Sequence, residues 1–329
     1  VLDLLTPPDR GLFFTKEDPK DPRMGELVIP VDQSFGDRVV SEFDAVIIGM
    51  PEDRGVRANR GREGARLAPD EVRRHFYKLT PGFGPSLSEL KIGDLGNVKV
   101  EGMTLDEAHG ALRWVVRWVS SMGIIPIVIG GGHDNSYPGL YGLSEGLKLG
   151  EGELGVVNVD QHLDVRDLSW GGVTSGTPFY RSLEEMPTRC LRGRNFVEYA
   201  IQEGHNSPYY YEWLCERHAT VMTFDEVQGR PMETFIRALQ IAGRGTRAIA
   251  VSVDIDSVRS TDAPGASAVS PNGLSSHELN KIAYLAGRSY KVKYLDVMEI
   301  SPPLDQDGRT ASLGADVIFR FLKGMCERR

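Results

Sequence analysis

Apolar and polar positions along this chain fall into two rhythms. Short continuous apolar runs recur at Asp44 to Met50, Ile124 to Ile129, Leu154 to Val159, Ala248 to Val253 and Val292 to Glu299. Runs of that length, bounded by turn residues, have the form of strands buried on both faces. Glu89 to Gly96, Phe196 to Ile201 and Thr220 to Phe224 read as further strands, the first of them near a sheet edge. Between the runs lie stretches with helical spacing. Leu105 to Ser121 sets Leu112, Val115, Val116 and Val119 on one face, and its Trp114 and Trp118, four apart, read as packing residues. Ala68 to Arg74 opens with Pro69 followed by Asp70 and Glu71, the chemistry of a helix start. Ser136 to Leu147, Trp213 to His218, Met232 to Ala242, Glu278 to Gly287 and about Gly314 to Glu327 complete the expected helices.

Strands alternating with helices predict a mostly parallel sheet covered on both faces. Residues 1–42 carry many prolines and charges without periodicity, and read as an irregular extension that wraps the domain or lies at a subunit contact. Residues 43–329 read as a single domain, since neither an internal repeat nor a linker divides them.

Composition narrows the function classes. No apolar run approaches the roughly 20 residues a bilayer span needs, and no basic start with an apolar core reads as a secretory leader. A net charge of −8 without a basic tract argues against a nucleic-acid partner, though not against a small anionic substrate met by local arginines. Cys190, Cys215 and Cys326 are odd in number, widely spaced and without a C-x-x-C pair, which predicts reduced thiols in a cytoplasmic setting.

The chemistry gathers at the ends of the apolar runs. After Leu154 to Val159 come Asp160, His162 and Asp164, which on an extended strand would alternate onto one face. After Ile124 to Ile129 come three glycines and His133; after Ala248 to Val253 come Asp254 and Asp256. In a parallel sheet all C-terminal strand ends lie along one edge, so these six side chains can share a crevice. Four carboxylates packed together repel severely unless cations lie between them. The oxygen and nitrogen donors suit a divalent ion of intermediate hardness such as Mn²⁺. Six ligands suit two ions about 3.5–4 Å apart, an arrangement that makes a water nucleophilic near neutral pH. The glycine-rich basic loop Arg57 to Gly64 lacks the ending of a P-loop, so nucleotide binding is not expected there.

The set Gly-Gly-Gly-His133, Asp160-x-His162-x-Asp164 and Ser252-x-Asp254-x-Asp256 resembles the ureohydrolase (arginase/agmatinase) superfamily, from about Asp44 to the end of the sequence. The resemblance implies a three-layer α/β/α domain with a mostly parallel eight-stranded sheet, two Mn²⁺ per subunit, and a homo-oligomer, trimer or hexamer. It implies one ion on His133, Asp160, Asp164 and Asp254, and the other on Asp160, His162, Asp254 and Asp256. It also implies Asp164 as proton carrier to the leaving nitrogen, and Glu299 as partner of the substrate's cationic amidine.

Two departures bear on the substrate. Ser175-Gly176-Thr177-Pro178 stands where arginases and agmatinases carry His-Gly, so the histidine that helps release the product amine is missing. Arg166 stands two residues past Asp164, where arginases carry an asparagine, and offers a permanent bidentate clamp for a carboxylate. Both departures look like the branch of the superfamily that hydrolyses N-formimidoyl-L-glutamate to L-glutamate and formamide in histidine degradation. The expected partner is therefore a small anionic amidine. Arg54, Arg57, Arg60 and Arg62 all compete for its second carboxylate, and His205 is a further candidate at the site rim. The alternatives are a guanidino hydrolase of arginase or agmatinase type, and a metal-binding relative without catalysis.

Overall fold

A computed structural model describes residues 1–32, 34–35 and 40–328. Residues 33 and 36–39 of the expected N-terminal extension lie outside the described residues. The strands are β1 (Leu5–Thr6), β2 (Ile29–Pro30), β3 (Ala45–Gly49), β4 (Ile92–Val98), β5 (Ile125–Ile129), β6 (Leu154–Val159), β7 (Leu191–Ile201), β8 (Thr220–Thr223), β9 (Ala248–Asp254) and β10 (Val292–Met298). They form one sheet in the order β1-β4-β3-β5-β10-β9-β6-β7-β8, with β2 also on β4. Among the described residues every pairing is parallel except that of β1 with β4.

Among the described residues the sheet thus has ten strands where eight were expected. The two extra ones are two-residue pieces of the N-terminal segment, too short to show any periodicity. That segment also sends Leu5, Leu12, Met24, Val28 and Val31 into the core.

Strands β3, β5, β6 and β9 are buried along their whole length, because helices cover both faces. One face carries Ala68–Phe76, Pro231–Ala242, Ser276–Arg288 and Arg309–Cys326. The other carries Leu105–Ser121, Ser136–Gly146, Pro178–Glu184 and Pro208–Glu216. Thr104 with Glu107, and Ser275 with Glu278, close reciprocal capping boxes that fix where two of these helices begin.

Two helices start earlier than their apolar spacing predicts, and in both a side chain outside the periodic stretch sets the start. Asp305 accepts from the Thr310 and Ala311 amides at 3.0 and 3.1 Å, so the last helix begins at Arg309. Ser207 accepts from the Tyr209 amide and Pro208 occupies the first turn, so that helix runs Pro208–Glu216 through an aromatic run with no helical rhythm. Trp114 is 53% exposed, with the Arg117 guanidinium 4.6 Å from its ring, and so does not pack in the core. Among the described residues no helix is long and apolar enough to cross a membrane.

The register of the central strands sets up the site. Ile129, Val297, Val253 and Val159 form one row across β5, β10, β9 and β6. The next residue on β9 is Asp254 and the next on β6 is Asp160, so two carboxylates emerge level at the same edge. Here β5 and β6, consecutive in sequence, are separated by β10 and β9. Such a reversal of strand order opens the crevice in which α/β sheets bind their ligands.

Candidate metal centre and substrate pocket

All six expected ligands meet in that crevice. The donor atoms of His133, Asp160, Asp164 and Asp254 lie within 4.8 Å of one another, as do those of Asp160, His162 and Asp256. His133 Nδ1 stands 3.2 Å from Asp160 Oδ2, 2.9 Å from Asp164 Oδ2 and 3.2 Å from Asp254 Oδ2. His162 Nδ1 stands 3.2 Å from Asp256 Oδ2. Asp160 is common to both groups. Among the described residues Asp254 joins only the first group, not also the second as the resemblance implies.

Strand alternation does not bring these residues together. β6 ends at Val159, and the chain bends through Gln161 and His162 before Asp164, whose φ is +47°. Likewise β9 ends at Asp254, and Asp256 lies in a single 3₁₀ turn, Ile255–Ser257. In both places the first aspartate folds back on the chain: Asp160 Oδ1 accepts from the His162 amide at 2.7 Å, and Asp254 Oδ1 from the Asp256 amide at 2.8 Å. Each bend leaves the second carboxylate oxygen turned to the cluster.

The glycines after β5 allow close packing. A Cβ on Gly130 would lie 1.8 Å from Met298 Sδ, and one on Gly131 would lie 1.8 Å from the Glu52 carbonyl oxygen. With Gly131 in place its carbonyl accepts from the Glu299 amide, and Glu299 Oε1 accepts from the His133 amide at 2.9 Å. Glu299, with φ +64°, is thereby fixed at the end of β10 beside the cluster.

Second-layer contacts orient the ligands, and spacing gave no sign of them. Ser252 Oγ donates to Asp296 Oδ1 at 2.6 Å and lies 3.0 Å from His133 Nε2. A hydroxyl that spends its proton on Asp296 accepts from His133, so Nε2 carries a hydrogen and Nδ1 is the nitrogen turned to the cluster. Asn158 Nδ2 donates to Glu198 Oε2 at 2.8 Å and to Asp160 Oδ2 at 3.3 Å. Asn206 Oδ1 accepts from the Leu163 amide while its Nδ2 donates to the Gln161 carbonyl, both at 2.8 Å, bracing the bend. A signal for Asn206 did exist, in the polar stretch that also holds His205.

The cluster is crowded with charge, and burial beside neighbouring carboxylates holds several of its carboxyls above their ordinary values. Burial, together with the charges of Asp256 and Asp160, pushes the Asp254 carboxyl well above its ordinary value. Burial pushes Asp256 up to about 6, with His162 opposing and Asp160 assisting. Glu299 is raised by burial and by Asp254. Burial works against a charged His133, yet the carboxylates around it outweigh that and raise it well above the usual imidazole range. His133 Nδ1 and Asp256 Oδ1 are buried without a hydrogen-bond partner. Two nitrogens and four carboxylates converging on unpartnered atoms fit two divalent cations of the hardness of Mn²⁺.

Above the cluster lies a cavity of about 340 Å³. Asp164, Asp254, Asp256 and Glu299 contribute to its wall, and so do Arg60, Arg62 and Arg166. Of the expected substrate residues, Arg166, Ser175 and His205 line it, while Gly176 lies behind Arg166. Ser175 Oγ accepts from Asn59 Nδ2 at 3.2 Å. The His205 ring centroid is 6.0 Å from that of His162. Arg166 does not pair with Asp167, whose carboxylate is taken by the Ser169 amide and hydroxyl. Trp170 and Tyr210, not anticipated, flank the Arg166 guanidinium carbon at 5.6 and 5.8 Å from their ring centroids.

A three-layer α/β/α sheet whose central strand ends carry this His/Asp set defines a dinuclear metallohydrolase of the arginase type. The arginase family profile matches residues 43–323, and the chain belongs to that family. A formimidoylglutamase of Streptococcus pyogenes is 28% identical over 284 residues, 86% of this chain and 85% of the relative. The crystal structure of Trypanosoma cruzi formiminoglutamase with two Mn²⁺ superposes with a TM-score of 0.84 at 32% identity, covering 94% of this chain and all of that one. Proclavaminate amidino hydrolase of Streptomyces clavuligerus superposes at 0.76 with 26% identity, covering 87% and 93%.

Proposed function

We propose that this chain is a two-manganese hydrolase that converts N-formimidoyl-L-glutamate and water to L-glutamate and formamide. The observation that carries the reading is the polarity of one pocket: carboxylates close to the metal-ligating atoms and unpaired arginine at the opening. A cationic amidine head linked to two carboxylates matches that order of charges.

The ions would be held by His133, Asp160, Asp164 and Asp254, and by Asp160, His162 and Asp256. When bound they neutralise the carboxylates and lower the pKa of a water, so that it attacks near neutral pH. The remaining work belongs to side chains. Glu299, locked by the His133 amide, receives the amidinium N–H groups and holds the amidine carbon over the cluster. Asp164 alone among the carboxylates of the first group keeps more than a trace of exposure, 13% of its side chain. It can therefore reach both the cluster and the substrate, and it carries a proton on its carboxylate to the departing nitrogen. Arg166 meets a substrate carboxylate with a bidentate pair. Ser175 and Gly176 shape the wall on that side, and His205 closes the rim beside His162.

Turnover by the Mn²⁺-loaded protein on N-formimidoyl-L-glutamate, L-arginine and agmatine tests this. Formamide and glutamate from the first are expected; urea from arginine, with no reaction on the first, overturns it. Cys190 and Cys215, both reduced thiols, support a reducing, cytoplasm-like compartment. The trimer or hexamer implied by the resemblance is supported by exposed Tyr209, Met232, Ile236 and Tyr290, and sedimentation velocity reads it directly.

A further inference from the structure

Four arginines of the first loop compete for the second carboxylate, and the hydrogen bonds separate them. Arg54 is committed to Glu52, through Nε at 2.8 Å to both carboxylate oxygens, and to the Met103 carbonyl at 2.6 Å. Arg57 pairs with Glu63 at 3.5 Å. Arg62 lines the pocket, but it donates through Nε and Nη2 to the carbonyls of Ser267 and Ala266. Arg60 remains. Among the described residues its guanidinium has no side-chain hydrogen bond or ion pair, and its one recorded contact is the face of Trp170, 5.1 Å from the ring centroid.

The same ring lies 5.6 Å from the Arg166 guanidinium carbon. Two permanent cations therefore share one indole at the opening of the pocket, and among the described residues neither has an anionic partner. The ring attracts each through its face, which biases their positions but does not satisfy their N–H donors.

The backbone points the same way. Arg60 follows the short helix Arg54–Ala58 and Asn59, with φ +62°. That is the position after a helix where glycine is the usual residue, because a side chain there is crowded against the backbone. The turn is held by Arg60 N–H to the Arg57 carbonyl at 2.9 Å and Gly61 N–H to the Val56 carbonyl at 2.8 Å. A strained arginine with unused donors, aimed into a pocket, has the pattern of a residue kept for binding. Opposite it, a Cβ on Gly176 would lie 3.0 Å from Arg166 Cδ, so Gly176 lets the Arg166 stem lie flat against the wall.

We propose that Arg60 and Arg166, held on the common Trp170 ring, form a two-point clamp that selects a dicarboxylate, each guanidinium binding one of the two carboxylates. This rests on the N-formimidoyl-L-glutamate reading and adds what that reading leaves open, the second anchor and the basis of selection against monocarboxylates. Discrimination arises because a substrate with one carboxylate leaves one guanidinium without its charge-assisted pair.

Steady-state kinetics of the Mn²⁺-loaded parent, Arg60→Met, Arg166→Met and Arg60→Lys test the clamp, with N-formimidoyl-L-glutamate and N-formimidoyl-4-aminobutyrate as substrates. For the dicarboxylate, Arg60→Met is expected to raise KM about 10- to 100-fold with kcat within about threefold, the signature of lost ground-state binding. Arg60→Lys should recover part of the loss. On the monocarboxylate one of the two methionine variants should match the parent, which identifies the arginine serving the missing carboxylate. A parent active on the dicarboxylate together with an Arg60→Met KM within twofold overturns the clamp and leaves the hydrolase reading intact. A parent inactive on the dicarboxylate overturns both.

Discussion

Replacing Ser252 by alanine would test whether the second layer sets metal affinity. Ser252 Oγ connects three buried groups: it donates to Asp296 at 2.6 Å, lies 3.0 Å from His133 Nε2 and 3.1 Å from Ser136 Oγ. Its removal leaves the His133 Nε2 hydrogen without an acceptor at a residue that is 0% exposed. A buried donor left unsatisfied costs about 1–3 kcal/mol. The histidine avoids that cost by giving up the Nε2 proton and keeping the one on Nδ1, where three carboxylate oxygens stand within 3.2 Å. Nδ1–H cannot ligate, so Mn²⁺ must displace that proton, and the cost appears as lost affinity. At 1.4 kcal/mol per tenfold, the loss is about 5- to 150-fold, in line with the usual effect of disturbing a ligand's orienting partner. Calorimetric titration of the metal-free variant with Mn²⁺ reads it, and circular dichroism on the same sample checks the fold. Asp296→Asn is expected to shift affinity in the same direction. A Ser252→Ala protein that is folded and binds Mn²⁺ within twofold of the parent would refute the tautomer argument.

Other consequences are open to simpler assays. Asp164→Asn should keep the fold while nearly abolishing turnover, through weakened metal binding and lost proton transfer; near-normal activity would remove Asp164 from the mechanism. Arg166→Ala should act mainly on KM, and an unchanged KM would take Arg166 out of the pocket. Chelation should abolish turnover and added Mn²⁺ restore it, whereas full activity in a demonstrably metal-free sample would contradict the dinuclear site. Arg73→Met should cost about 3–5 kcal/mol, since Arg73 is 1% exposed and grips Asp94 at 2.7 and 3.0 Å, leaving that carboxylate buried and unpaired. For a chain of this length that is roughly 4–7 °C in Tm, and a shift under 1 °C in differential scanning calorimetry would contradict the buried pair.

The ligand set was legible because it follows long apolar runs. Each of the three runs could be recognised as a strand, and parallel strands must end at one edge. What periodicity misjudged was the local path: Asp160, His162 and Asp164 read as alternating positions on a strand, yet the strand stops first and a bend with Asp164 at positive φ makes them converge. The β1 and β2 pieces stayed hidden for a related reason. Two residues hold no period, and their pairing depends on β4, some sixty or more positions further along the chain.

The substrate pocket was legible only in part. Arg166 stood out as a permanent cation beside a metal motif, but Arg60 looked the same as Arg54, Arg57 and Arg62. Their difference lies in partners supplied from elsewhere: Glu52 and Met103 for Arg54, Glu63 for Arg57, Ser267 for Arg62, and, among the described residues, only an aromatic face for Arg60. Trp170 and Tyr210 gave no sign, because an aromatic residue in a loop reads the same whether it packs or supports a guanidinium.

By itself the sequence determined the layered α/β architecture, the order of the strands' chemistry and the identity of the six side chains that meet in the cluster. Those follow from short-range rules, namely burial periodicity, turn chemistry and the donor atoms each residue carries. Only the tertiary structure decided which nitrogen of His133 faces the cluster, which arginine stays free and where the pocket opens. Those depend on contacts between residues distant in the chain, where a single hydrogen bond, such as Ser252 to Asp296, commits a group that spacing leaves undetermined.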